Sequence, residues 1–132
     1  MNRSIKFFLL CIFILGLSCA KSRVSDLSER VDSFNQSLRW SSLKSAAIYM
    51  SPEHKRSLMD RYADLFRQSR IVEFSILDMG LNSEKKKSSV IVEFSYYDLV
   101  SNNLAYRQEI QTWEFLPAKQ SWVVSDSQAL TE

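Results

Sequence analysis

The sequence predicts an α+β domain in which N-terminal helices pack on an antiparallel sheet of about four strands. In the first half, apolar residues recur at spacings of three and four, the period of a helix with one buried face; in the second half they alternate, as they do along a strand. The strand-like segments also follow one another across short turns instead of alternating with helices, which separates α+β from the parallel α/β class.

Val24, Leu27, Val31, Phe34 and Leu38 form the first stripe and predict a helix from about Ser25 to Trp40, with Ser22 or Ser25 able to cap it and Asp26 and Glu29 suited to its positive end. Leu43, Ala46, Ala47 and Met50 predict a second, short helix over 42–50. A third opens at Pro52, because Ser51-Pro52-Glu53-His54 reads as an N-cap, a first-turn proline and an acidic first turn. Its buried stripe is Leu58, Tyr62, Leu65 and Phe66. The period then changes. Ile71 to Met79 predicts a strand with Val72, Phe74 and Ile76 on one face, and Gly80 to Lys87 a polar loop. Ser89 to Leu99 sets Val90, Val92, Phe94 and Tyr96 opposite Ile91, Glu93, Ser95 and Tyr97. After the turn at Ser101-Asn102-Asn103, Ala105 to Phe115 predicts a third strand, weak in alternation until Trp113 and Phe115. Leu116 to Gln120 closes a hairpin into Ser121 to Ser125, and Asp126 to Glu132 reads as an unstructured tail.

Ahead of this domain, Asn2 to Lys6 is cationic, Phe7 to Leu17 is unbroken apolar sequence, and Ser18-Cys19-Ala20 brings small residues. The apolar run is shorter than the roughly 20 residues a membrane span requires and matches a secretory signal. Leu17-Ser18-Cys19 resembles the end of a bacterial lipoprotein signal, although Gly16 stands where that class prefers a large aliphatic residue. The resemblance implies lipidation of Cys19 and, since Ala20 stands where an inner-membrane retention signal places Asp, an outer-membrane, periplasm-facing location. Cleavage after Ala20 is the competing reading and implies a soluble periplasmic or secreted protein. Acyl anchoring contributes ~0.8 kcal/mol per buried methylene, so the two or three chains of a mature lipoprotein hold stably where one does not. The expected organisation is a signal over 1–19, a tether over 20–24, one domain over 25–126 and a tail over 127–132.

Both cysteines, Cys11 and Cys19, lie in the signal, so the exported domain has no disulfide and stands on packing. Two of the 17 basic residues, Arg3 and Lys6, also belong there, leaving 15 basic against 15 acidic; no basic surplus favours nucleic acid. Gly80 is the only glycine after the signal, which excludes glycine-rich phosphate loops. His54 is the only histidine, so neither a paired-histidine zinc site nor any cofactor is expected, and its helix-start setting suits a solvated side chain better than a triad base. Lys85-Lys86-Lys87 could face an anionic membrane, but a charged hairpin loop accounts for them better.

The helices-then-strands order, closed by Trp113-Glu114-Phe115 and Ser121-Trp122-Val123-Val124, resembles the nuclear transport factor 2-like (cystatin-like) superfamily from about Val24 to Ser125. That resemblance implies a cone of helices on a bent sheet; its isomerase members place a carboxylate base inside, facing tyrosine and protonated aspartate donors. Carboxylates beside the apolar strand faces are Asp78, Glu93, Asp98, Glu109 and Glu114, with Tyr96, Tyr97 and Tyr106 as donors, and no spacing singles out a pair. Asp78 and Asp98 sit at strand ends, where water keeps carboxylates ionised, so neither is expected to face a tyrosine across an enclosed pocket. Trp113 and Trp122 are expected in the core, and Trp40 as an exposed contact or pocket wall. Pocket or contact candidates are thus Trp40, Asp78, Tyr96, Asp98 and Tyr106, with no catalytic residue assigned. The expected function is a non-enzymatic lipoprotein acting through protein or lipid contacts; the alternative is a small-molecule binder or an isomerase- or dehydratase-type cone pocket.

Overall fold

The computed structural model describes residues 23–130 except 83 and 85, with side chains of the first helix from 26 onward. The signal, Cys11, Cys19 and Lys85 lie outside the described residues. Three helices, α1 (Arg23–Arg39), α2 (Leu43–Ala47) and α3 (Lys55–Gln68), precede four strands, β1 (Ser69–Leu81), β2 (Lys87–Asp98), β3 (Leu104–Leu116) and β4 (Ser121–Ala129). The strands form one antiparallel meander in the order β1-β2-β3-β4. No helix among the described residues is long and apolar enough to cross a membrane.

The predicted helical stripes are the buried ones. Leu27, Val31, Phe34 and Leu38 of α1 are fully buried, as is Tyr62 of α3, with Leu58 and Phe66 nearly so. Phe34 is the hub, in edge-to-face contact with Tyr62 (5.9 Å) and Trp113 (5.6 Å). Trp113 and Trp122 are both fully buried, as expected. Trp122 does not pair with Trp113, however. The register sets it opposite Phe115, whose ring lies 5.7 Å away, while Trp113 faces Val124.

Four local expectations need correction. α2 ends at Ala47, not Met50, because Tyr49 to Ser51 serve the outer edge of β4: the Val124 N–H donates to the Tyr49 carbonyl (2.8 Å) and the Ser51 N–H to the Val124 carbonyl (2.8 Å). This covers an otherwise open sheet edge. The third helix starts at Lys55, since Pro52 to His54 form a turn in which the His54 N–H returns to the Ser51 carbonyl (3.1 Å) and Nδ1 lies 3.3 Å from Ser51 Oγ; His54 is half-buried, not fully solvated. In β1, register shifts between Ile71 and Glu73 and between Ile76 and Asp78 leave Val72 and Leu77 exposed. A bulge reverses which residues face the core, so Ile71, Phe74 and Ile76 pack inward, as do Met79 and Leu81, and Asp78 joins the solvent row. Lastly, residues 126–129 are not a tail. They extend β4 against Glu109 to Thr112.

The loop reading of the lysines fits the described pair. The backbone N–H groups of Lys86 and Lys87 donate to Asn82 Oδ1 (3.0 and 3.2 Å), and the Lys87 ammonium lies 3.6 Å from Glu114.

Candidate functional site

Strand parity builds the interior of the cone. Trp113 and Phe115 point inward, so every second residue before them does too: Gln111, Glu109 and, at the rim, Arg107. Glu109 is fully buried. Its Oε2 accepts hydrogen bonds from Ser127 Oγ on β4 (2.7 Å) and Tyr62 Oη on α3 (3.3 Å). Its Oε1 accepts from the Arg107 guanidinium and lies 3.7 Å from Arg61. A carboxylate so deep is tolerable only when paired and hydrogen-bonded, and these three donors, with the Arg61 charge beside them, do both. Burial, and after it the charge of Glu109, raise the Tyr62 hydroxyl far above its ordinary range, so it stays a protonated donor.

One layer deeper, Asn35 on α1 and Gln111 on β3 form a reciprocal amide pair (2.7 and 3.2 Å), with Asn35 also donating to the Val31 carbonyl (2.8 Å). Gln111 Oε1 accepts from the Trp113 indole N–H as well (3.3 Å). All three side chains are fully buried. The cone therefore holds a buried polar seam of two clusters among Phe34, Tyr62, Trp113 and Trp122. None of the clefts described below is lined by Glu109, Gln111 or Tyr62. Among the described residues, no group of three or more histidine, cysteine or acidic side chains could hold a metal.

The expected site residues scatter. Asp78 is exposed on the outer face of β1. Asp98 closes the β2–β3 turn, its Oδ1 accepting from the N–H groups of Val100 (2.8 Å) and Ser101 (3.0 Å), and these bonds lower its pKa below the ordinary 3.8. Neither carboxylate has a tyrosine partner. Tyr96 and Tyr106 do come together, with Arg107 and Leu130, around an open cleft of about 640 Å³, a volume within the range of ligand sites. Arg107 joins this cleft to Glu109. Trp40 is 73% exposed and walls a second groove, between α1 and α2. Cys19 lies outside the described residues.

Sequence reasoning named Glu109 among five carboxylates without singling it out, and it missed Arg61, Arg107, Ser127, Asn35 and Gln111. The signal was available: counting back by twos from Trp113 places Gln111, Glu109 and Arg107 on the inner face.

No protein-family model matches the chain, and no curated protein matches it in sequence. In three dimensions it is similar to a ketosteroid isomerase-like protein from Erwinia carotovora atroseptica (TM-score 0.65, 9% identity, 85% of this chain and 99% of that one). It is also similar to a putative polyketide cyclase from Xanthomonas campestris pv. campestris (TM-score 0.63, 4% identity, 84% and 93%). A third relative in shape is a protein of unknown function with a cystatin-like fold from Nostoc punctiforme (TM-score 0.57, 9% identity, 79% and 86%). The architecture is thus the nuclear transport factor 2-like cone, and at these identities the likeness carries the fold alone.

Proposed function

We propose that this chain is an outer-membrane lipoprotein of the bacterial envelope, anchored through Cys19 and acting without catalysis through contacts on its periplasmic side. One observation carries the non-catalytic part: the space where isomerase-type cones hold substrate is occupied. Phe34, Tyr62, Trp113 and Trp122 fill it, and the one fully buried carboxylate there, Glu109, is engaged by Ser127, Tyr62, Arg107 and Arg61. A general base must reach a substrate proton with an accessible lone pair, and this carboxylate is fully buried, with three hydrogen bonds and the Arg61 charge already directed at it. The anchor rests on the sequence border at Cys19. Arg23, where α1 begins, follows it by four positions, so acylation holds the N-terminal end of α1 close to the membrane. Intact-mass measurement of the native protein tests the anchor. A chain beginning at Cys19 with added acyl mass supports it, and an unmodified chain beginning at Lys21 refutes it.

A second reading, a small-molecule binder or isomerase-type pocket, is favoured by the Tyr96–Tyr106–Arg107 cleft and by the names of the similar structures. Its isomerase-type form requires the cone to open far enough to expose Glu109.

A further inference from the structure

We propose that the groove between α1 and α2, walled by Trp40, is a binding site for a neutral glycan segment. The inference rests on the reading of this chain as an envelope binding domain and names a ligand class for it. Asp32, Ser33 and Gln36 fall on one stripe of α1, which Trp40 continues one residue past the helix, beside the buried stripe of Val31, Phe34 and Leu38, and Tyr49 faces them from beyond α2. They line a groove of about 360 Å³.

Three features select the ligand. First, Trp40 is a large aromatic left 73% exposed yet held in place. It caps α1 in a Schellman turn, with the Ser42 N–H donating to the Ser37 carbonyl (2.9 Å) and the Ser41 N–H to the Leu38 carbonyl (2.9 Å), Ser41 taking the left-handed conformation (φ 54°). The guanidinium of Arg39 backs its ring at 5.6 Å, and that of Arg30 backs Tyr49 at 4.8 Å. Fixed rings offer contact area at little entropic cost. Second, the Asp32 carboxylate, the Ser33 hydroxyl, the Gln36 amide and the Tyr49 hydroxyl make no side-chain hydrogen bond to another described residue, so donors and acceptors ring the aromatic wall. An acyl chain would leave them unpaired, an unfavourable outcome. Third, the lining carries a single charge, that of Asp32, which does not suit an anionic ligand. A pyranose, with an apolar C–H face to stack and hydroxyls around its rim, matches all three.

The chain supplies its own readout, because Trp113 and Trp122 are fully buried and Trp40 is the exposed indole. The full chain is titrated with tri-N-acetylchitotriose and, separately, maltotriose, following tryptophan emission and its quenching by acrylamide. We expect a saturable blue shift and protection from quenching with at least one of the two. Trp40→Ala should weaken binding about tenfold or more, while Trp40→Phe, which keeps a ring, loses less. Gln36→Ala, at a half-buried position on the helix surface, should weaken it without altering the fold. No saturable change with either sugar, or a change that survives Trp40→Ala, overturns the proposal. The mass at Cys19 is read separately, so failure of the groove and failure of the anchor are distinguishable.

Discussion

Glu109→Gln is the substitution that weighs the buried cluster. It removes the charge that Arg61 and Arg107 face and puts an amide N–H₂ among groups that are already donors. Breaking a buried ion pair from one side costs about 3–5 kcal/mol. Here the two arginine side chains are 34% and 29% exposed and can recover some hydration, which pulls the figure toward the lower end, about 3 kcal/mol. For a domain of this size that corresponds to roughly 12–24 °C in Tm. Thermal unfolding followed by circular dichroism at neutral pH measures it. Replacing Glu109 and Arg107 together by apolar residues should recover part of the loss, because the orphaned charge goes with its partner. A Glu109→Gln variant as stable as the parent, or more so, would refute the reasoning. Carboxylates retained for chemistry characteristically cost stability instead of supplying it.

Other outcomes follow from the same contacts. Trp113→Ala and Trp122→Ala should each lose about 3–5 kcal/mol in denaturant melts, since both indoles are fully buried; native-like midpoints would mean the rings are dispensable. Tyr62 has its folded pKa raised above the ordinary 10.0, so its contribution is complete below pH 10 and is lost as pH rises above it; Tyr62→Phe should flatten the alkaline limb of the stability profile. Asp98, lowered from 3.8 by the turn N–H groups, contributes above that value and loses its contribution as pH falls through the depressed folded pKa; a carboxyl NMR titration should find its midpoint below the ordinary 3.8. Cys19→Ala should release the protein from the membrane fraction or stall its processing, and unchanged fractionation would contradict the anchor.

The helices were legible because their buried faces are mostly apolar, Asn35 being the buried polar exception on α1, so Leu27, Val31, Phe34 and Leu38 announce their period. The middle of β3 and the end of β4 were not, for one shared reason: they pair side by side, and their inward side chains there are polar. Arg107, Glu109 and Gln111 on one strand and Ser127 on the other occupy inward positions that an alternation test scores as outward. The seam thus hid both the continuation of β4 past Ser125 and the buried carboxylate it serves. In β1 the difficulty was backbone geometry. Two bulges shift the parity at Val72 and Leu77, and nothing in that run of apolar residues marks where the extra residue sits. Trp40 was legible because it stands at the end of a stripe, one residue past the helix, where an indole has no core to enter.

The central claim is that the cone is filled and its carboxylate occupied. Two-dimensional NMR of the indole N–H groups tests it most directly, with the full chain titrated with a neutral steroid such as progesterone. The account predicts that the Trp113 and Trp122 resonances, from fully buried rings, keep their positions and their slow exchange throughout. A saturable displacement of the Trp113 signal, abolished in Glu109→Gln, would show a ligand entering the cone beside the carboxylate and contradict it.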